Sequence, residues 1–100
     1  MKEQLTDFQI LDKSAEILKV MAHPIRLAII ELLHHKGESS VTDIYQVLEV
    51  EQSVVSYHLK NLRMVNIVNS KREGTKIYYS IDSEQVIEIL SNITQRGEEG

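Results

Sequence analysis

The segment QSVVSYHLKNLRMVNIVNSKREGTKIYY, Gln52 to Tyr79, decides the fold of this 100-residue chain. In its first half Val55, Leu59 and Leu62 recur at i, i+4 and i+7, the spacing of the buried face of an amphipathic helix. After Met64 apolar residues alternate with polar ones, the period of a half-buried hairpin. The segment therefore predicts a helix with a polar outer face that leads into a short β-hairpin with a basic tip.

Basic side chains concentrate in this same segment. Five basic residues stand against one acidic residue, a net charge of +4: Lys60, Arg63, Lys71, Arg72 and Lys76 against Glu73. The whole chain carries −4, which leaves −8 for the remainder. A local basic surface on an otherwise acidic protein is what contact with nucleic-acid phosphates requires.

Helical patterns cover most of the remaining chain. A first helix is predicted to end near Ala22, and Pro24 suits the first turn of a second helix that closes at Lys36-Gly37. Candidate cap residues from Ser39 to Asp43 precede a short third helix, and Asp82 or Ser83 can cap a last one. The predicted order is α-α-α-α-β-β-α, mainly helical with one small hairpin: a winged helix-turn-helix.

The first and last helices are more apolar than a 100-residue monomer needs. Their apolar residues are Ile10, Leu11, Ala15, Leu18 and Met21 in the first, and Val86, Ile89, Leu90 and Ile93 in the last. Such surplus predicts a second copy of the chain as partner. One proline, four glycines and no low-complexity tract predict a single domain over 1–100, with frayed ends at about 1–6 and 96–100.

Composition excludes several function classes. The absence of cysteine removes disulfides, thiolate metal sites and cysteine nucleophiles. No apolar run approaches the roughly 20 residues that span a bilayer, and the first residues lack the apolar core of a signal peptide, so a cytoplasmic protein is expected. The chain has no glycine-rich phosphate loop, His-Glu-x-x-His or nucleophile-elbow serine, which predicts that it is not an enzyme.

Three blocks of sequence resemble the ArsR/SmtB family of small dimeric winged-helix repressors. They are LKVMAHPIRL (Leu18–Leu27), SVVSYHLKNL (Ser53–Leu62) and REGTKIYY (Arg72–Tyr79), and the match covers roughly residues 15 to 95. The resemblance implies a homodimer joined through the first and last helices. It also implies that the helix from Gln52 to Val65 enters the major groove of a pseudo-palindromic operator, flanked by two wings.

This resemblance and the polar outer face together predict the DNA contacts. The recognition helix is predicted to contribute Gln52, Ser53, Val54, Ser56, Tyr57, His58 and Lys60, and the wing and phosphate contacts are Arg63, Lys71, Arg72, Thr75 and Lys76. Short hydroxyl and amide side chains can approach base edges closely. The alternatives are that Ser53 and Ser56 cap or are solvated, and that the His58 ring packs beneath the backbone instead of bridging to a phosphate.

No metal or cofactor is predicted. Where many family members carry two cysteines, this chain has Ser40 and Thr42, whose neutral hydroxyls are poor ligands for soft or borderline ions. A second family site, on the last helix, pairs two acids with two histidines. This chain has no histidine there, and the four positions are Asp82, Glu84, Gln95 and Glu98.

Three functions fit these patterns. The leading hypothesis is a dimeric repressor that senses no metal through the usual family sites, with an inducer that the sequence does not identify. The alternative is a winged-helix protein-interaction module with secondary DNA affinity, since the Glu51 carboxylate beside the presumed recognition helix opposes phosphate. A third is a sensor of a hard cation that uses Asp82, Glu84 and Glu98.

Overall fold

A computed structural model describes residues 7–99. The elements are α1 (Phe8–Met21), α2 (Pro24–Lys36), β1 (Ser39–Ser40), α3 (Val41–Leu48), α4 (Gln52–Met64), β2 (Val68–Glu73), β3 (Lys76–Ile81) and α5 (Glu84–Glu99). The predicted winged helix-turn-helix is confirmed, but the predicted order lacked β1. A two-residue strand contains no period that a sequence pattern can reveal.

The last helix, α5, extends to Glu99. The fraying expected at 96–100 stays a prediction. The other predicted frayed segment, 1–6, and Gly100 lie outside the described residues. Within the described residues, no helix is long and apolar enough to cross a membrane.

Polar side chains cap the starts of the first two helices, and a glycine ends the second. The Asp7 side chain accepts hydrogen bonds from the N–H groups of Gln9 and Ile10 at the start of α1. His23 caps α2 in the same way, because its Nδ1 accepts from the Ile25 N–H at 3.1 Å. Helix α2 ends at Gly37, whose φ of 79° and ψ of −154° lie where only glycine is unstrained. The predicted end of the first helix near Ala22 and the predicted close of α2 are both confirmed.

Helices α3 and α4 form the helix-turn-helix. Ser40 caps α3, and its Oγ accepts from the Asp43 N–H at 3.1 Å. The turn passes through Glu49, which adopts the left-handed conformation at φ 55° and ψ 43°. Val55, Leu59 and Leu62 of α4 are fully buried, as their spacing predicts, so the opposite face of α4 is directed away from the core.

Replacing Ser40 with alanine is expected to lower the free energy of unfolding by about 1 kcal/mol, because the Asp43 N–H loses its acceptor. Urea denaturation followed by circular dichroism measures the change. Thr42→Ala removes an exposed hydroxyl from the same helical turn and is the matched control, with an expected change below about 0.5 kcal/mol. Equal losses in both variants would show that the cap is not the cause.

The three strands form one antiparallel sheet in the order β1-β3-β2. In the hairpin Arg72 is paired with Ile77 and Lys71 with Tyr78, while β1 places Ser40 opposite Tyr78 on the other side of β3. Paired residues share a face of a sheet, so Arg72 and Lys71 lie on opposite faces. This register decides which basic side chains share a face with Ile77.

The core lies between the sheet and the helices. Its fully buried members are the inward residues of α4 together with Ile29, Ile30 and Leu33 of α2, Ile44 of α3, Ile67 just before β2, and Val68 of β2. Burial of such side chains stabilises the fold by about 1.5–3 kcal/mol each, which holds α4 rigidly against α2 and α3.

Apolar side chains of α1 and α5 are left uncovered by the protomer. Ile10, Leu11 and Leu18 are 61%, 49% and 50% exposed, and Ile93 is 54% exposed. An apolar cleft of about 270 Å³ lies between these helices, lined by Leu18, Met21, Ala22, Leu27, Ile89 and Ile93. The surplus apolar surface predicted for the first and last helices is therefore present and open to a partner.

Candidate nucleic-acid interface

The outer face of α4 presents polar side chains to solvent. Gln52, Ser53, Ser56 and Lys60 are exposed, and Tyr57 is 60% exposed. Val54 is half-buried, so only part of its side chain is available for an apolar contact such as a thymine methyl. These are the positions that the helical period leaves opposite Val55, Leu59 and Leu62, and the rigid core behind them fixes their orientation.

No side chain caps the first turn of α4. Glu51 occupies the N-cap position without making a side-chain hydrogen bond, and its carbonyl accepts from the N–H groups of Val54 and Val55 at 3.1 Å. The first two residues of α4, Gln52 and Ser53, are exposed. The N-terminus of a helix with exposed N–H groups and the positive end of the helix dipole favours an anion such as a phosphate.

A cleft of about 350 Å³ brings α3, α4 and the hairpin together. Its lining residues are Ser40, Val41, Thr42, Gln52, Ser56, Thr75, Lys76, Ile77 and Tyr79. Four of the predicted DNA contacts thus meet in one cleft, two from the helix and two from the hairpin turn. The other five lining residues were not predicted as contacts: Ser40, Val41, Thr42, Ile77 and Tyr79. Only the pairing of β1 with β3 brings the start of α3 beside the hairpin.

A second cleft, of about 420 Å³, continues along the C-terminal half of α4. Its lining residues are Lys60, Arg63, Met64, Asn66, Val68, Asn69 and Tyr79. Tyr79 lines both clefts, so they adjoin along the space between α4 and the sheet. The two predicted phosphate contacts of α4, Lys60 and Arg63, lie in this second cleft.

The basic residues of the hairpin are not equivalent. The ammonium of Lys71 lies 3.2 Å from a carboxylate oxygen of Glu73 and 3.3 Å from one of Glu38. The hydrogen bonds that it donates to Glu73 and Glu38, with the negative charges of both, raise the pKa of Lys71 above its usual value. Arg72 shares a face with Ile77 instead, and its Nε donates to the Gly74 carbonyl at 3.3 Å. Arg72 and Lys76 are therefore better placed than Lys71 to meet phosphate.

His58 was predicted among the DNA contacts of the recognition helix, but its side chain is buried. It is only 5% exposed, and its Nδ1 accepts a hydrogen bond from Arg26 Nε at 2.9 Å. The helical period places position 58 toward α2, beneath Tyr57. Of the two alternatives open from the sequence, the ring packs beneath the backbone, and we leave His58 out of the proposed contact surface.

The residual acids of the family metal positions lie apart. Asp82 and Glu84 are exposed at the start of α5, and the side chain of Glu98 lies outside the described part of the chain. Glu84 and Glu98 are separated by about 21 Å of helix, so one protomer cannot place both on one ion. Among the described residues no group of three acidic or histidine side chains is arranged to hold a metal.

Known proteins share this sequence and arrangement. Residues 21–71 match the model of a helix-turn-helix domain family. The chain is 40% identical to the transcriptional repressor PagR of Bacillus anthracis, over 87% of this chain and 90% of that protein. The crystal structure of PagR has a TM-score of 0.78 with it, at 39% identity over 87% of this chain and 99% of the chain in that crystal structure.

Identity to the arsenical resistance operon repressor of Bacillus subtilis is 36%, over 86% of this chain and 82% of that protein. The chain belongs to the ArsR/SmtB family of winged helix-turn-helix regulators. A possible ArsR-family regulator of Mycobacterium bovis, whose structure is a homodimeric winged helix-turn-helix DNA-binding domain, has a TM-score of 0.82 at 29% identity, covering 98% of this chain and 92% of that one. We call α4, the second helix of the helix-turn-helix, the recognition helix, and we call the β2-β3 hairpin the wing.

Proposed function

We propose that this ArsR/SmtB protein is a homodimeric transcriptional repressor that binds a pseudo-palindromic operator through the recognition helix and the wing. The carrying observation is that Gln52 and Ser56 of the recognition helix share one cleft with Thr75 and Lys76 of the wing. This arrangement suits duplex DNA. The helix can enter a major groove and the hairpin tip the adjoining groove, while the polar cleft between them receives the phosphate backbone. Occupancy of the operator is sufficient for repression.

The recognition helix supplies both kinds of contact that DNA binding needs. Gln52, Ser53 and Ser56 offer amide and hydroxyl groups at its N-terminal end, where HTH helices contact base edges. Tyr57 and Val54 add apolar surface. Lys60 and Arg63 lie farther along the same side, in the cleft that adjoins Tyr79, where they are placed for phosphate.

The wing supplies the second group of phosphate contacts. Arg72 shares the Ile77 face, and Thr75 and Lys76 line the cleft itself. Lys71 is bridged to two carboxylates and contributes less net charge to this surface. Minor-groove insertion by an arginine is a common use of such a tip, and Arg72 is the wing residue suited to it.

Dimerisation follows from the uncovered apolar surface of α1 and α5. The exposed side chains of Leu18 and Ile93 line one apolar cleft between the two helices, and a second copy of the chain would cover them. A twofold pair of recognition helices reads two half-sites about 34–36 Å apart, which accounts for a pseudo-palindromic operator. PagR and the Bacillus subtilis relative are both named repressors, which supports the same direction of control.

We assign the chain no catalytic activity and no metal at the usual family sites. Ser40, at one of the family's cysteine positions, uses its hydroxyl as the cap of α3. Because an operator-bound repressor works on chromosomal DNA, we place the chain in the cytoplasm. The inducer is not assigned.

The test is a fluorescence anisotropy titration of the purified protein against a labelled duplex from upstream of its own gene and against a scrambled duplex, across a salt series. A repressor prefers the upstream duplex, and its affinity falls steeply with salt as counterions are released. Equal and weak binding to both duplexes would contradict the proposal and favour the protein-interaction module.

Gln52→Ala and Lys60→Ala are expected to separate base contacts from phosphate contacts. Gln52→Ala should weaken binding to the upstream duplex by about 1–3 kcal/mol and leave binding to the scrambled duplex nearly unchanged, because an amide reads base edges. Lys60→Ala should weaken binding to both duplexes alike. It should also reduce the slope of log affinity against log salt by about one per contact. The anisotropy titration measures both variants.

Glu49→Ala serves as the control, since Glu49 lies in the exposed turn before the recognition helix. Removal of an acidic side chain there should leave the preference for the upstream duplex unchanged. A Gln52→Ala variant that keeps the full preference would show that Gln52 makes no base contact.

A further inference from the structure

Arg26 joins three helices at the back of the recognition helix. Its Nε donates to His58 Nδ1 at 2.9 Å, and its Nη1 donates to the Val20 carbonyl at 3.0 Å. Arg26 belongs to α2, His58 to the recognition helix and Val20 to the last turn of α1. One side chain therefore connects the helix proposed to read DNA with a helix proposed to form the dimer.

The same guanidinium also reaches the outer side of the recognition helix. The Arg26 Cζ lies 5.9 Å from the centroid of the Tyr57 ring, within the range of a cation–π contact. Tyr57 and His58 are consecutive, and their rings meet edge to face at 5.2 Å. Rotation or translation of the recognition helix would break the hydrogen bond to His58 and move the Tyr57 ring away from the cation.

The hydrogen bond between Arg26 and His58 requires a neutral imidazole. Arginine is always a donor in proteins, so His58 Nδ1 must offer a lone pair and its proton must be on Nε2. The groups that face the ring are basic or neutral: His23 at the N-cap of α2, whose ring centroid is 4.4 Å away, Arg26, and Tyr57 of its own helix. Helix α1 contributes the uncharged Val20 carbonyl through Arg26.

Protonation of His58 would therefore remove the acceptor and place a new positive charge beside Arg26 and His23. Burial, followed by the charges of His23 and Arg26, holds the pKa of His58 below its ordinary value of 6.5. The neutral, bonded form is thus complete above about pH 6.5 and is lost as the pH falls through the pKa of the folded protein.

We infer that Arg26 and neutral His58 are positioning residues that hold the recognition helix in its DNA-binding orientation, and that a proton on His58 releases it. Operator affinity then falls in acidic solution. This inference rests on the proposed function. The direction of the change in operator affinity with pH also distinguishes two roles for His58. If His58 contacted phosphate as a cation, the affinity would rise, not fall, as the pH falls.

The experiment measures operator affinity by anisotropy at constant ionic strength between about pH 7.5 and pH 5.5. For the wild-type protein the affinity is expected to fall as the pH drops through the lowered pKa of His58, with a slope that approaches about tenfold per pH unit for each protomer. His58→Gln keeps an acceptor for Arg26 and cannot be protonated in this range. Its affinity should therefore stay flat or rise slightly in acid.

Two histidine controls locate the effect. The double variant His34→Gln, His35→Gln removes exposed imidazoles from the far end of α2 and should keep the wild-type fall. His23→Asn retains a capping side chain for α2 and removes the neighbouring imidazole, whose charge lowers the pKa of His58, so the fall should remain and begin at a higher pH. Circular dichroism at each pH establishes that every variant is folded.

A second measurement does not need DNA. Imidazole NMR of the free protein should show His58 as the Nε2–H tautomer near neutral pH, with a pKa that rises when Arg26→Gln removes the adjacent cation. A wild-type affinity that is constant or increases in acid, a His58→Gln variant with the same fall, or an Nδ1–H tautomer would each overturn the inference. Absence of DNA binding at every pH would instead overturn the proposed function on which it rests.

Discussion

Replacement of both Arg72 and Lys76 with alanine is expected to lower operator affinity by about a hundredfold or more, because a dimer then loses four cations from its wings. Arg72 lies on the Ile77 face of the hairpin, and Lys76 lines the cleft beside the recognition helix. Each lost phosphate contact should also reduce the slope of log affinity against log salt by about 0.9. The anisotropy salt series measures both effects, and circular dichroism checks the fold.

Lys71→Ala is the matched control for the wing. It removes a cation from the same hairpin, but that ammonium lies 3.2 Å from Glu73 and 3.3 Å from Glu38, so no direct phosphate contact is expected to be lost. We expect its operator affinity to change by less than about threefold and its salt slope to stay the same. A loss in Lys71→Ala as large as that of either single variant, Arg72→Ala or Lys76→Ala, would contradict the smaller role assigned to Lys71.

Leu18→Glu is expected to convert the dimer into monomers and to reduce operator affinity by about a hundredfold or more. Leu18 is 50% exposed and lines the apolar cleft with Ile93, so a partner would have to bury the new carboxylate without a counter-charge. Separated protomers lose the advantage of two linked half-site contacts, which is typically about 10²- to 10⁴-fold. Sedimentation velocity measures the oligomeric state, and anisotropy measures the affinity.

Val47→Glu is the control for this prediction, and only its oligomeric state is compared with that of Leu18→Glu. Val47 is 49% exposed, almost the same fraction as Leu18, but it belongs to α3 and not to the apolar cleft of α1 and α5. It should remain a dimer. If Leu18→Glu also sedimented as a dimer, the proposed location of the interface would be wrong.

The recognition helix is the element that the sequence predicted best. The spacing of Val55, Leu59 and Leu62 indicated which face is buried, and all three are fully buried. A helical period is a local property, and the chain alone expresses it. The hairpin was predictable for the same reason. Its alternation of apolar and polar residues and its turn glycine, Gly74 at φ 66°, are local features as well.

Other features depend on residues that are distant along the chain. Strand β1 forms only because β3 is present to pair with Ser39 and Ser40, and this pairing completes the cleft with Thr42. Lys71 looked equivalent to Arg72 until the fold placed Glu38 beside it. Non-local ion pairs of this kind leave no pattern in a single sequence.

The sequence by itself determined the family, the helical and hairpin segments and the surplus apolar residues on α1 and α5, because spacing, caps and composition are recorded residue by residue. Only the tertiary structure decided which basic side chains face the cleft and where the His58 ring lies. Arg26 and His58 are 32 positions apart, and their hydrogen bond exists because α2 packs against the recognition helix. Contacts between distant segments depend on how helices and strands pack, and that geometry is a property of the folded chain.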